Sequence, residues 1–219
     1  MYAPIFVSAT NTDVGKTTLS LEIAKLCKAR GIKTLLAKPI ETGINAEGPS
    51  DAELFLQENL DIEPHLNLED ISFYRYVLGA SPFVAARFEP HITLDFKEIK
   101  KKLDALQERC DLLIIEGVGG LLVPLDAKNK IVDLCMFLKT RLLMVSSDRL
   151  GMLNNLLLNQ EYLSGHKISH QILINMRDKR TYYQICKPYI DHLNTTLKTP
   201  ILEFPEQSGR LLDAILVPC

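Results

Sequence analysis

Residues Ile5 to Ala9 form a mostly apolar run of strand length, and the chain leaves it through Ala9-Thr10-Asn11-Thr12-Asp13-Val14-Gly15-Lys16-Thr17-Thr18. A helical pattern follows at once: from Thr17 to Arg30, Leu19, Ile23, Leu26 and Cys27 recur on one face. Gly31 stands where a helix end commonly takes a left-handed residue. A strand that passes into a helix through Gly-Lys-Thr points its loop amides and the helix N-terminus at one place, which favours an anion. Gly15 lets the backbone approach closely, Lys16 can reach the β- and γ-phosphates of a nucleoside triphosphate, and Thr17 can ligate Mg²⁺. Asp13, Val14 and Thr18 complete the nucleotide-binding stretch. The same tripeptide can open an ordinary helix; the strand before it and the amphipathic helix after it favour the phosphate loop.

Further apolar runs at Thr34 to Ala37, Leu112 to Ile115, Leu142 to Val145 and Ile172 to Ile174 suit strands covered on both faces. Helical patterns lie between them, and strand-helix-strand alternation implies a parallel sheet. The expected architecture is α/β, a P-loop NTPase fold with a mostly parallel sheet and helices on both faces, in a single domain over residues 1–219. Ser50 with Glu53, and Asp95 with Glu98, have the spacing of a capping box, which places Asp51 at a helix N-terminus.

The bulk properties narrow the partners. Twenty-five Lys and Arg balance 27 Asp and Glu, without the run of like charge that nucleic acid or an acidic membrane calls for. No stretch approaches the roughly 20 apolar residues that span a bilayer, and the start carries no secretion signal. Five widely spaced cysteines, an odd number without a Cys-x-x-Cys, fit reduced thiols in a cytoplasmic protein. No serine or cysteine sits in a nucleophile-elbow pattern, so covalent catalysis is not expected.

The loop resembles the Gly-Thr-Asp-Thr-x-Val-Gly-Lys-Thr form of dethiobiotin synthetases, with Ala9 for the glycine and Asn11 for the aspartate. Alanine is tolerable there only at negative φ; failing that, the loop is slightly reshaped and its nucleotide affinity lowered, without excluding activity. Other segments resemble that family in order along the chain: Lys38-Pro39-Ile40-Glu41-Thr42-Gly43, Ser50-Asp51-Ala52, Ser81-Pro82, Glu116-Gly117-Val118-Gly119-Gly120, Leu150-Gly151-Met152-Leu153-Asn154, and Asn175-Met176 after the last clear strand.

The resemblance implies an ATP-dependent ligase of biotin biosynthesis that joins 7,8-diaminononanoate and CO₂ (or bicarbonate) into dethiobiotin. By the same resemblance Lys38, with Lys16, neutralises charge on the transferred phosphoryl and the carbamate. Thr17, Asp51 and Glu116 hold Mg²⁺, and Gly117, Val118 and Gly119 adjoin the nucleotide. Thr12, Thr42 and Ser81 lie by the diamine. The amides from Leu150 to Asn154 take the substrate carboxylate from the neighbouring subunit of a homodimer. Asn175 and Met176 meet the base, where side-chain amide groups can serve either purine.

Bland readings stand beside these: Lys38 as a solvated lysine, Asp51 as a favourable first-turn acid, Pro82 as an ordinary first helical residue. A buried strand ending in Glu116, however, needs a partner for its charge. Two rival functions share the loop. Switch ATPases of chromosome and division machinery carry an extra lysine early in it, where this chain has Thr10, Asn11 and Thr12. Amide-forming synthetases of cobalamin-type precursors normally add a glutamine-hydrolysing domain, for which 219 residues leave little room.

Overall fold

The computed structural model describes residues 1–218. Its first half comprises β1 (Ile5–Ala9), α1 (Lys16–Ala29), β2 (Thr34–Ala37), β3 (Ile40–Thr42), α2 (Asp51–Leu60), α3 (Leu68–Ile71), β4 (Tyr74–Tyr76), α4 (Pro82–Ala85) and α5 (Phe96–Gln107). The second half adds β5 (Leu112–Glu116), α6 (Ile131–Leu138), β6 (Arg141–Ser146), α7 (Met152–Gly165), β7 (His170–Asn175), α8 (Lys179–Ile185), α9 (Lys187–Asn194), β8 (Leu202–Phe204) and α10 (Ser208–Ile215).

Six strands form one parallel sheet in the order β2-β5-β1-β6-β7-β8, with helices on both faces. Every residue of β1, β2 and β5 is buried, as their apolar runs require of strands covered on two sides. The α1 face expected from the sequence is buried at Leu19, Ile23 and Cys27, and Gly31 adopts φ 74 directly after the helix. The four described cysteines are free and buried; Cys219 lies outside the described residues.

The sheet register sets the site. Ala37 pairs with Ile115 and Val7 with Glu116, so Lys38 and Glu116 leave adjacent strands side by side at the carboxyl edge. There β1 lies between β5 and β6, where successive connections diverge and open α/β sheets bind ligands.

Three short strands, β3, β4 and β8, carry too few residues for periodicity to reveal. The capping box at Ser50 and Glu53 is formed, with both reciprocal hydrogen bonds. At Asp95 it is not: the Asp95 carboxylate accepts from the Lys97 amide, two residues on, while Glu98 accepts from the Tyr74 hydroxyl at 3.3 Å. The tyrosine competes for the carboxylate that a box would have used.

Candidate active site

The phosphate loop joins β1 to α1 as the sequence suggests. Gly15 caps α1 at φ 88, in the left-handed region, and a Cβ there would come 1.8 Å from the Arg177 Nη2 and 2.5 Å from the Asn175 Nδ2. Glycine is required both by the turn and by the close approach of the loop after β7. Ala9 ends β1 in ordinary strand conformation and does not belong to the residues with positive φ. Its side chain is therefore accommodated without backbone strain, the condition under which alanine is tolerable there. Asn11 keeps a local role, its Oδ1 accepting from the Thr12 amide at 2.8 Å.

Behind the loop lies a charged cluster. Glu116 is fully buried and its carboxylate is surrounded by donors. Oε1 accepts from Lys38 Nζ at 2.6 Å and from Thr17 Oγ1 at 2.9 Å, and Oε2 accepts from Ser20 Oγ at 2.9 Å. The same Lys38 ammonium donates to Asp51 Oδ2 at 2.7 Å. Burial alone would lower the Lys38 ammonium, but the Glu116 and Asp51 charges outweigh it and raise it above the ordinary lysine value. Burial pushes the Asp51 carboxyl up, and Lys38 and Thr17 more than reverse that, leaving it below the usual range. Lys16 shows the opposite balance: burial lowers its ammonium further than Glu116 can raise it, with Lys38 repelling it as well.

Of these groups Lys16, Thr17, Lys38 and Asp51 line a cavity of about 450 Å³ together with Asp13, Gly15, Thr18, Thr42, Val118, Gly119 and Arg177, whereas Glu116 and Ser20 are buried behind its wall. Thr12 and Glu41 also face it. Thr17 Oγ1 and the Asp51 and Glu116 carboxylates are hard oxygen donors of the type Mg²⁺ takes when phosphates and waters complete its shell. Among the described residues no cluster of three or more His, Cys, Asp and Glu forms a protein-only metal cage. The Thr17 hydroxyl and the Asp51 carboxylate on the cavity wall, with Glu116 directly behind Thr17, fit a nucleotide-borne Mg²⁺.

Other residues singled out by sequence fall outside this cavity. Gly117 packs on Phe6, whose ring a Cβ would meet at 2.9 Å. Ser81 caps α4 without a side-chain hydrogen bond. The stretch Leu150 to Asn154 opens α7 with Gly151 at φ 90; the Leu150 side chain is 85% exposed, whereas Met152 is buried in the core. The Met176 side chain is likewise buried. Val14 lies just beneath the loop surface, and its carbonyl accepts from Asn175 Nδ2 at 3.0 Å, which ties the loop after β7 to the phosphate loop.

Four contributors were not anticipated. Ser20 stands three residues after Thr17 on the same helical face, a spacing that could have revealed it. Arg177 lines the cavity and donates to the Asp13 carbonyl at 3.3 Å. Asp148 is buried and accepts the Arg177 and Asp178 amides, fixing that loop. Glu41, the central residue of a strand the sequence concealed, is a buried carboxylate on the cavity wall.

Residues 3–201 match a family model described as an AAA domain. A Helicobacter pylori (strain ATCC 700392 / 26695) protein named ATP-dependent dethiobiotin synthetase BioD is 41% identical over 212 residues, covering 95% of this chain and 97% of its own length. The protein of the same name from Wolinella succinogenes is 38% identical over 216 residues, covering 97% and 99%. Among solved structures, pNOB8 ParA aligns over 100% of this chain and 88% of its own with a TM-score of 0.58 at 14% identity. A plasmid partition protein from Borrelia burgdorferi aligns over 98% and 96% with a TM-score of 0.53 at 16% identity. At such identities the structural likeness speaks for the fold alone.

Proposed function

The chain belongs to the ATP-dependent dethiobiotin synthetase family, and from that premise we propose how its residues perform the ring closure. It is a ligase of biotin biosynthesis: 7,8-diaminononanoate, CO₂ and ATP give dethiobiotin, ADP and phosphate. One amine of the diamine adds to CO₂ to form a carbamate. A carbamate oxygen takes the γ-phosphoryl group as ADP leaves, and the second amine attacks the carbonyl of the mixed anhydride, expelling phosphate.

The observation that carries this reading is the Lys38 ammonium, held between Asp51 and Glu116 behind the phosphate loop. Its ion pairs with Asp51 and Glu116 favour the charged ammonium, which serves as a fixed cation behind the phosphate loop. Lys38 and Lys16 face the anionic oxygens of the carbamate and the γ-phosphoryl group, and such preorganised charge is a large part of phosphoryl-transfer catalysis. The amides around Gly15 hold the phosphate chain. Thr17, Asp51 and Glu116 would hold Mg²⁺, which when bound neutralises the β- and γ-phosphate oxygens. Thr12 and Thr42, which line the same cavity as Lys38, orient the reacting amines.

The start of α7 supplies the site of a second copy. Leu150 to Asn154 do not line the phosphate cavity of their own chain, and their amides at a helix N-terminus suit the substrate carboxylate across a two-fold axis. Ser81 joins that end of the diamine. Asn175 and Met176 flank the base through the loop after β7. Buried free thiols fit a single-domain enzyme in the reducing cytoplasm, and among the described residues no helix is long and apolar enough to cross a membrane.

The test is nucleotide turnover with Mg²⁺ and bicarbonate, with and without 7,8-diaminononanoate, following dethiobiotin by mass in the wild type and in Lys38→Ala. Diamine-dependent product that falls by about a hundredfold or more in the variant is expected. Turnover indifferent to the diamine, with no product, would replace this reading with that of a nucleotide switch.

A further inference from the structure

The small sheet formed by β3 and β4 stands outside the main one, and two strands of three residues are not stable by themselves. Their register places Glu41 directly beside Arg75. Glu41 is 3% exposed, a burial that a carboxylate tolerates only with firm partners. It has two: Oε2 accepts from Arg75 Nε at 3.1 Å, and Oε1 accepts from the Ala52 amide at 2.9 Å. Arg75 in turn donates from Nη2 to Ser50 Oγ at 3.1 Å, the same hydroxyl that caps α2 by accepting from the Glu53 amide at 3.3 Å.

Asp51 lies between the two anchored residues. The residue before it is gripped by Arg75 through its side chain, the residue after it by Glu41 through its amide. The first turn of α2 is thereby fixed to the strand that continues from Lys38, only two residues beyond it. The distance of 2.7 Å between Asp51 and Lys38 is a property of this clamp as much as of the two charges.

We propose that Glu41 and Arg75 are positioning residues that hold the Asp51 carboxylate at the metal–nucleotide site through both sides of the α2 N-terminus. The proposal rests on the reading that Asp51 helps to hold the nucleotide-borne metal. Glu41 reaches the cavity wall but both its carboxylate oxygens are engaged by Arg75 and the Ala52 amide, and each residue acts through the backbone or cap of Asp51's neighbours. A misplacement of about 1 Å is enough to weaken a site of this kind.

The experiment measures Mn²⁺ binding to the full chain in the presence of ADP, by the loss of the free-ion electron paramagnetic resonance signal, beside the thermal midpoint of each variant. Glu41→Ala and Arg75→Met are expected to weaken Mn²⁺ about five- to tenfold, and the double variant no further than the weaker-binding single, as for residues acting as one unit. Glu41→Gln keeps an acceptor for the Ala52 amide and is expected to return most of the affinity to Glu41→Ala. That rescue separates positioning from a general loss of fold, and Arg75→Met with Glu41→Gln carries the test if Glu41→Ala does not fold. Wild-type affinity in folded Arg75→Met and Glu41→Ala overturns the proposal alone. Absence of ADP-dependent Mn²⁺ binding in the wild type overturns the metal reading and this proposal with it.

Discussion

Lys38 Nζ lies 2.6 Å from Glu116 Oε1, an ion pair between the ends of two neighbouring parallel strands in which the lysine side chain is 4% exposed and the carboxylate 0%. A pair so far from water stabilises little by itself, because desolvation offsets its attraction, but removal of one partner strands the other. The pair is therefore better understood as a device for charge placement. It holds one positive charge at a set height behind the phosphate loop, with Asp51, Thr17 and Ser20 supplying the remaining contacts.

Ser20→Ala removes the donor to Glu116 Oε2 and leaves that oxygen buried without a replacement. Destabilisation of about 1–3 kcal/mol is expected from urea unfolding. In steady-state kinetics kcat should fall more than the KM for ATP rises, since the serine supports Glu116 and does not face the nucleotide.

Gly15→Ala forces a Cβ into the left-handed region and against the Arg177 and Asn175 side chains. The conformation costs about 1–2 kcal/mol, and the loop must move to relieve the contact. Titration with a fluorescent ADP should show affinity lowered by about tenfold or more, and the added Arg177→Ala should not restore it, because φ and the Asn175 contact remain.

Ala9→Gly tests the opposite expectation. Ala9 sits in extended strand backbone, so glycine offers the loop no new conformation. Stability should fall by about 0.5–1 kcal/mol while the KM for ATP stays within about twofold. A large gain in nucleotide affinity would show that alanine distorts the loop after all.

The Glu63 carboxyl is held down at about 2 by its hydrogen bonds to Lys33 and Arg109. A carboxyl depressed in the folded state binds its proton more readily when unfolded, so its contribution is present above about 4.5 and lost as the pH falls towards about 2. Denaturation midpoints measured across that window at low salt should decline towards acid, with a shallower slope in Glu63→Gln. Added salt should shrink the difference, because these side chains reach solvent.

Much of the sheet was legible because strands covered on both faces have no polar alternation to obscure them: β1, β2, β5, β6 and β7 each stand out as apolar runs. The phosphate loop and the buried end of β5 at Glu116 were legible for a related reason, since a strand end or helix start already restricts the backbone, whereas Lys38 and Asp51 were singled out by the family resemblance and the fold brings them together with Glu116. Glu41 and Arg75 were legible in neither way. They are 34 residues apart, joined only by a pair of three-residue strands, and nothing local to either residue announces the other. Asp148 is similar, its partners lying 29 and 30 residues further on. The Asp95 box failed because the hydroxyl of Tyr74, on another element, took the second carboxylate. Local rules located the strand ends and helix starts, and long-range hydrogen bonds set the geometry between them.

The strand that carries the phosphate loop precedes both strands that pair with it by a long stretch of chain. Its neighbours on the two sides are Leu112–Glu116 and Arg141–Ser146, so one edge of Ile5–Ala9 stays open for about 100 residues and the other for about 130. Loop closures of that span are entropically slow to complete. On the ribosome the nucleotide-binding segment therefore waits, with its apolar strand unpaired, for residues that have yet to be synthesised, and nucleotide can engage the finished pocket only once that wait is over.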